Sequence, residues 1–272
     1  MLELIKYIIL GIIQGITEIF PVSSSGHLII FSNLFKTFDP SSANVFLMLT
    51  NFGSAIALFY FFRNDAKQLI VSFFSFLFNN EKRNDPVIKN DFNYSLKLII
   101  TVIPIGILGL LLESHLPQTM LSVGISLLIT ATLLLLMFLL RNHQFKKEIT
   151  WKNAFVIGLF QASAIVPGIS RSGITTVGGL SQKIEIKTAL KFSFLSYLLI
   201  SIPVSIKGLI DAINYPETIN LLGYILAFIF SFIATFVSTK LLYKYMKVKN
   251  LIYFSIYCFL IGSFAIIYYF VI

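Results

Sequence analysis

The chain has 272 residues, of which 57% are hydrophobic and only 12% are charged, and its formal net charge is +9. Soluble globular domains average about 45–50% apolar and about 25% charged residues, so this composition excludes a soluble fold. A single cysteine, Cys258, excludes an intramolecular disulfide and a thiolate metal site. In a membrane protein the excess of lysine and arginine reports on topology, and we expect no nucleic-acid partner.

Six segments are apolar and long enough to cross a hydrocarbon core, which requires about 20 residues of helix. In chain order they are residues 43–62, 95–112, 120–140, 189–206, 221–242 and 251–272. Residues 79–91, between the first two spans, are predicted to form a polar loop. No small-residue cleavage pattern follows the first apolar run, so we expect no removable signal peptide.

Two further apolar segments, residues 4–35 and 152–182, are interrupted near their middles by proline, serine and glycine. The interruptions are residues 21–27 and 167–173. Proline and glycine end one helix there and allow another to begin. Each segment is therefore either a broken span or a re-entrant helical hairpin.

The basic residues decide between these alternatives for the second segment. If residues 152–182 turn back, 17 of the 21 Lys and Arg residues lie on one side of the membrane. The exceptions are Lys6, Lys36 and Lys207 on the other side and Arg171 inside the membrane. Such a bias marks the cytoplasmic side, so the second segment is predicted to be re-entrant from the cytoplasm. For the first segment the rule does not decide.

An internal repeat relates the two broken segments at a constant offset of 147 residues. The matched pairs are Gly11 and Gly158, Gln14 and Gln161, Ser23 and Ser170, Ser25 and Ser172, and Gly26 and Gly173. Two units, residues 1–140 and 150–272, would each hold one hairpin and three spans, and the odd number of spans would insert them in opposite orientations. Inverted repeats with broken helices are typical of membrane proteins that handle polar substrates.

The sequence thus predicts an all-α polytopic membrane protein that forms a single domain over residues 1–272. It has six transmembrane helices and two re-entrant helix-loop-helix hairpins in an inverted repeat. By this plan the first hairpin enters from outside.

Polar side chains at membrane depth indicate a functional site, because they are costly unless they are buried in protein and paired. Gln14 and Glu18 share one face of the first half-helix, within an arc of about 100° at 3.6 residues per turn. Interhelical hydrogen bonding explains Gln14 equally well, and Glu18 is also compatible with a hydrated helix end.

The two loops carry the other polar groups. The first reads Ser23-Ser24-Ser25-Gly26-His27, and the second reads Ser170-Arg171-Ser172-Gly173 and is followed by Thr175. Serines are expected to cap the helices that follow, and the free N–H groups of a helix start bind anions. Arg171 suits bidentate phosphate binding, although a purely structural pair with Glu18 stays open. These groups indicate a pocket for a phosphate attached to an apolar molecule.

The segments GIIQGITEIFPVSSSGH (11–27) and PGISRSGIT (167–175) resemble the two signature motifs of the undecaprenyl-diphosphate phosphatase family, also called bacitracin resistance proteins. Length, number of spans and order of motifs agree over the whole chain. The resemblance implies hydrolysis of undecaprenyl diphosphate to undecaprenyl phosphate and inorganic phosphate, with a divalent cation, Mg²⁺ or Ca²⁺. Some members carry a second glutamate where this chain has Gln14, which leaves Glu18 as the carboxylate for a metal.

The resemblance also implies a location in the bacterial cytoplasmic membrane, with the active site open to the outer face. The product is the lipid carrier of peptidoglycan and other envelope polymers, and its recycling confers bacitracin resistance. Expected partners are the polyprenyl diphosphate substrate and membrane lipids, and the sequence also allows a homodimer.

Phosphoryl transfer needs positioning and charge neutralisation, which suggests a role for each group. The residues expected to bind the diphosphate are Arg171, Gln14, Ser23, Ser25, Gly26, Ser170, Ser172, Gly173 and Thr175. Glu18 would hold the metal or act as general base, and His27 would be an acid, a base or the nucleophile. Ser24 or Ser25 is the alternative nucleophile, and the sequence does not choose between a phosphoenzyme and direct attack by water.

A transporter or flippase of polyprenyl phosphate is the alternative function. Opposed re-entrant loops in inverted repeats suit alternating access as well as catalysis. Phosphate release in detergent micelles, where transport has no meaning, distinguishes the two.

Overall fold

A computed structural model describes residues 2–35, 40–112, 115–141, 146, 148–214 and 220–271 of the protein. In this part the chain is helical, with one isolated parallel bridge between Lys146 and Ile184. The α-helices are α1 (Leu2–Ile19), α2 (Ser24–Phe35), α3 (Pro40–Phe61), α4 (Arg63–Phe78), α5 (Pro86–Leu112), α6 (Met120–Leu139), α7 (Trp151–Ala162), α8 (Arg171–Ser181), α9 (Ile186–Asn214), α10 (Leu221–Tyr245) and α11 (Leu251–Val271). Lys36, which entered the topology prediction, lies outside the described residues.

Several of these helices meet the length and hydropathy requirements of membrane spans. Five segments of the described chain do so by themselves: Pro86–Leu112, Met120–Leu139, Ile186–Gly208, Leu221–Tyr245 and Val248–Val271. The segment Val45–Phe61 qualifies together with α4, to which it is bent by 81°. An all-α integral membrane protein with several spans is thus confirmed, while the number six stays a prediction.

The loop expected between the first two spans is partly helical, which corrects that prediction. Helix α5 begins at Pro86 rather than near residue 95. Proline is favoured at the first helical position, where its missing N–H costs nothing. The Asp85 carboxylate accepts hydrogen bonds from the N–H groups of Val87 (2.8 Å) and Ile88 (3.4 Å), and so caps this helix start. The polar composition of residues 79–91 concealed the first turns of the helix.

Helix α4 was not predicted, because its apolar stretch, residues 69–78, is only about half as long as a membrane span requires. Ile70, Val71, Phe74 and Phe78 are all at least half exposed, whereas Ala66 is buried. An apolar stripe on an exposed helix is typical of a helix that lies at a membrane interface.

Both interrupted segments fold as antiparallel helical hairpins. At the open end of the first hairpin, the Lys6 ammonium donates to the carbonyl oxygen of Phe35 over 3.0 Å. At the open end of the second, the Asn153 side-chain amide donates to Gln182 Oε1 over 2.8 Å. The tips therefore lie at the far end of each hairpin, where Ser23 has a φ of 70° and Gly168 a φ of 96°. Positive φ is the conformation that Gly168 adopts without strain.

The two hairpins are held by matching close contacts between helices. Helix α1 packs on α10, where Gly11 lies against the backbone of Ala227 and the Thr235 hydroxyl donates to the Gly15 carbonyl (3.2 Å). Helix α7 packs on α5 in the same way. There Gly158 lies against Thr101, whose hydroxyl donates to the carbonyl of Ala154 over 2.9 Å. Small residues allow this backbone approach, which is a common device in membrane helix packing.

Helices α6 and α11 form a third close pair, which is antiparallel. Gly124 and Gly262 face each other, and the Ser255 hydroxyl donates to the Ala131 carbonyl over 2.7 Å. This pair supports the tips of both hairpins, since Val123 touches Gly26 and Gly168.

The substitution Gly158→Ala should destabilise the protein, because the added Cβ would lie 2.8 Å from the Thr101 carbonyl oxygen. Overpacking of this kind costs about 1–3 kcal/mol. We expect a lower thermal unfolding midpoint of the protein purified in detergent. Gly109→Ala is the matched control, because an added Cβ there meets nothing within 4 Å. Equal midpoints for the two variants would contradict the close packing of α7 on α5.

Candidate active site

Each hairpin tip ends in a serine-capped helix start. Ser23 Oγ accepts a hydrogen bond from the Gly26 N–H (3.2 Å), and Ser170 Oγ accepts one from the Gly173 N–H (3.1 Å). These are the same pairs that the repeat matches in sequence. Capping by the side chain three residues earlier satisfies one N–H and leaves others near it available to an anion.

The two tips touch each other. Gly26 lies so close to Gly168 that a Cβ added to Gly26 would be 3.1 Å from the Cα of Gly168. The Ser172 hydroxyl donates to the Phe20 carbonyl over 3.1 Å, and the Gly168 N–H lies 3.5 Å from Ser25 Oγ. Loops that are far apart in sequence therefore form one surface.

Glu18 is the centre of the polar contacts on this surface. Its Oε1 forms an ion pair with Arg171, which crosses from the second hairpin to the first. Its Oε2 accepts hydrogen bonds from Gln14 Nε2 (2.9 Å) and from the Ser24 hydroxyl (2.7 Å). The Glu18 side chain is 4% exposed and that of Arg171 is 22% exposed. Arg171 is thus the accessible member of the pair.

Two further residues, Asn51 and Tyr197, belong to the cluster, although they lie outside the two sequence motifs. Asn51 Oδ1 accepts a second hydrogen bond from Gln14 (2.7 Å), and the Arg171 guanidinium lies 4.0 Å above the ring of Tyr197. The Tyr197 hydroxyl in turn donates to the Asn51 carbonyl over 3.0 Å. Asn51 is an amide inside an apolar span, a signal that could have been read. Nothing in the sequence distinguishes Tyr197 from the other tyrosines.

His27 makes different contacts. Its Nδ1 lies 2.7 Å from the Ser23 carbonyl oxygen and its Nε2 lies 2.8 Å from the Tyr257 hydroxyl. The two ring planes are nearly parallel with their centres 5.5 Å apart, and His27 is 1% exposed. Because a carbonyl only accepts, Nδ1 carries the proton and Nε2 accepts from Tyr257 in the neutral ring. Both nitrogens are occupied by groups other than Glu18 and Arg171.

The remaining predicted hydroxyls differ in accessibility. Ser170, Ser172 and Thr175 are buried, and the Thr175 hydroxyl is bonded to Ser193 (2.5 Å). Ser24 and Ser25 are only partly buried. An incoming anion would therefore meet Ser24, Ser25 and Arg171 first.

The residues of this site are poorly suited to holding a metal ion by themselves. In the described part of the chain, no group of three or more His, Cys, Asp or Glu side chains could hold a cation. Both oxygens of Glu18 already accept hydrogen bonds or face Arg171. A divalent cation at this place would take most of its ligands from substrate phosphate and water, as Mg²⁺ commonly does.

Comparison with known proteins gives a consistent result. Residues 7–264 match the family described as bacitracin resistance protein BacA. A protein named undecaprenyl-diphosphatase from Acholeplasma laidlawii is 57% identical over 268 residues, which cover 97% of each chain. Similar proteins include an undecaprenyl-diphosphatase from Oceanobacillus iheyensis (36% identical; 97% of this chain and 96% of the relative) and undecaprenyl-diphosphatase 1 from Bacillus cereus (37% identical; 97% of each).

The family match spans both hairpin tips, every residue of the polar cluster, and Tyr257. The chain therefore belongs to the bacitracin resistance protein BacA family.

Proposed function

We propose that this protein hydrolyses undecaprenyl diphosphate to undecaprenyl phosphate and inorganic phosphate. The observation that carries the proposal is the contact between the two hairpin tips, where Arg171 and Ser24 both engage Glu18. The names of the similar proteins support the choice of substrate. On this proposal the product lipid returns to envelope synthesis, and its supply confers bacitracin resistance.

The diphosphate is held at the accessible edge of the cluster. Arg171 supplies the permanent positive charge, and the helix starts after Ser23 and Ser170 supply N–H groups for phosphate oxygens. Tyr197 below the guanidinium keeps it in place through a cation–π contact. These contacts neutralise charge on the phosphoryl group, which is the main requirement of this chemistry.

The proposed nucleophile is Ser24, and the proposed base is Glu18. Its hydroxyl already donates to Glu18 Oε2 over 2.7 Å. When the diphosphate binds Arg171, the guanidinium shares its charge with phosphate, and Glu18 is free to take the Ser24 proton. Attack on the terminal phosphorus breaks the P–O–P bond and releases undecaprenyl phosphate, and water then hydrolyses the phosphoserine. The acid, base or nucleophile roles of His27 stay predictions, as does the divalent cation, and no step here depends on either.

Arg171→Ala and Glu18→Gln should each remove most phosphate release in detergent micelles. Loss of one such electrostatic contact typically lowers turnover by about 10²–10³-fold. Arg141→Ala is the matched control, since Arg141 is exposed and caps the end of α6 through the Phe138 carbonyl. Thermal unfolding would show that each variant is folded. Near-normal turnover in either variant would refute the role of that residue, and a wild-type protein without activity in micelles would favour the transporter alternative.

Ser24→Ala should lower turnover far more than Ser25→Ala, although the two serines are adjacent and similarly exposed. The reason is that Ser24 donates to Glu18, whereas Ser25 contacts Ser23 and Gly168. Acid quenching with substrate labelled at the terminal phosphate should trap phosphate on the wild-type protein and none on Ser24→Ala. If both serine variants kept activity and no label were trapped, direct attack by water would replace the serine mechanism.

We also propose the full topology: six spans, two re-entrant hairpins in inverted repeats over residues 1–140 and 150–272, and an active site facing the outer side of the bacterial cytoplasmic membrane. Supporting observations are the antiparallel hairpins and the matched packing of α1 on α10 and α7 on α5. With this topology, 17 of the 21 Lys and Arg residues would lie on the cytoplasmic side. A homodimer stays a prediction.

The topology predicts which thiols an impermeant reagent reaches in intact cells. Gln118→Cys lies in the exposed α5–α6 connection and should be labelled, whereas Lys247→Cys, between α10 and α11, should react only after the cells are opened. Native Cys258 is buried and should contribute little background. The reverse pattern would invert the proposed orientation.

A further inference from the structure

A second polar cluster lies away from the hairpin tips, among α4, α5, α9 and α10. It surrounds a cavity of about 280 Å³, here called the polar chamber. Its charged residues are Asp65, Asp91, Lys187 and Lys191, so the four formal charges cancel. Lys191 donates to Asp65 over 2.5 Å. None of these residues contacts Glu18, Ser24 or Arg171, and the site above does not use them.

Asp91 is the unusual member of the chamber. It is 8% exposed, and its Oδ2 accepts hydrogen bonds from Gln68 Nε2 and the Ser72 hydroxyl, each over 2.9 Å. The ion pairs found in the described residues are Glu18–Arg171 and Asp65–Lys191, so Asp91 has neutral partners alone. A buried carboxylate without a cation is costly, because no opposite charge compensates for its lost hydration. Asp91 is therefore suited to an external cation that can donate hydrogen bonds.

An apolar groove of about 420 Å³ lies next to the chamber. The two cavities share Leu69 and Leu195 as lining residues. The groove runs between α3, α4, α5 and α9, and its side chains, such as Phe59, Phe74 and Ile202, are half exposed. On α9 it uses the face of Leu195 and Ile202, and Tyr197 points to the opposite side, towards Arg171. The groove thus differs from the surface that holds the polar cluster of Glu18 and Arg171.

We propose that the chamber and groove together bind one membrane phospholipid whose headgroup carries a phosphate and a primary ammonium, as an ethanolamine phospholipid does. The ammonium donates to Asp91, and the phosphate meets Lys187, which is exposed and faces the chamber. An acyl chain follows the groove past Leu69 and Leu195. The balanced charge of the chamber disfavours a purely anionic headgroup, since two carboxylates would face it. A quaternary ammonium has no N–H to donate to Asp91.

Native mass spectrometry of the purified, delipidated protein tests this proposal. The probes are ethanolamine, choline and glycerol phospholipids with identical acyl chains. We expect the ethanolamine lipid to bind about tenfold or more tightly than the other two, as a hydrogen bond between charged groups allows. Asp91→Asn and Lys187→Gln should each abolish this preference. Glycerophosphoethanolamine, which has the same headgroup without acyl chains, should not displace the lipid.

The chain offers matched controls for both variants. Asp85→Asn and Lys89→Gln make the same charge changes at exposed positions that do not line the chamber, and both should keep the preference. All four variants should retain phosphate release, which separates this proposal from the proposed function. Equal binding of the three lipids, or an unchanged preference in Asp91→Asn, would overturn it. Preferential binding of a polyprenyl phosphate in the chamber would do the same.

Discussion

Glu18 and Arg171 are 153 residues apart in sequence, and either charge alone would be costly in an apolar environment. Their ion pair joins the two hairpin tips, so each hairpin supplies the partner that the other requires. The glycines of α1 and α7, the serine caps and the α6–α11 pair all bring these tips to contact distance. Much of the helix packing can be understood as support for this single contact.

The scaffold is duplicated, but the chemistry is not. The capping serines and the packing glycines recur at the offset of 147 residues. At the same offset Glu18 corresponds to Ile165, Ser24 to Arg171 and His27 to Ile174. One hairpin therefore contributes the carboxylate and the hydroxyl, and the other contributes the guanidinium. Two similar halves form an asymmetric site, which suits a substrate with one apolar end and one charged end.

Sequence reasoning identified what depends on local pattern. Apolar runs gave the approximate bounds of α3, α6, α10 and α11, and the intramembrane polar residues pointed to Glu18 and Arg171. Helix α4 was missed because its apolar stretch, residues 69–78, is too short for a span and follows the charged residues of its first two turns. The sequence did not identify Tyr197 and Tyr257 for a different reason. Their importance lies in their contacts with Arg171 and His27, which form only in the folded chain. The sequence also could not show that Asn51 shares Gln14 with Glu18.

Helix α1 leaves the ribosome well before α10, against which it packs most extensively. Until α8 is inserted, Glu18 lacks Arg171, its ion-pair partner in the finished fold. Helix α6 likewise packs most extensively against a helix that is synthesised later, α11. During biogenesis the first half of the protein must therefore remain in the bilayer before the helices that it packs against have been made. Maturation therefore depends on the later synthesis of α10 and α11.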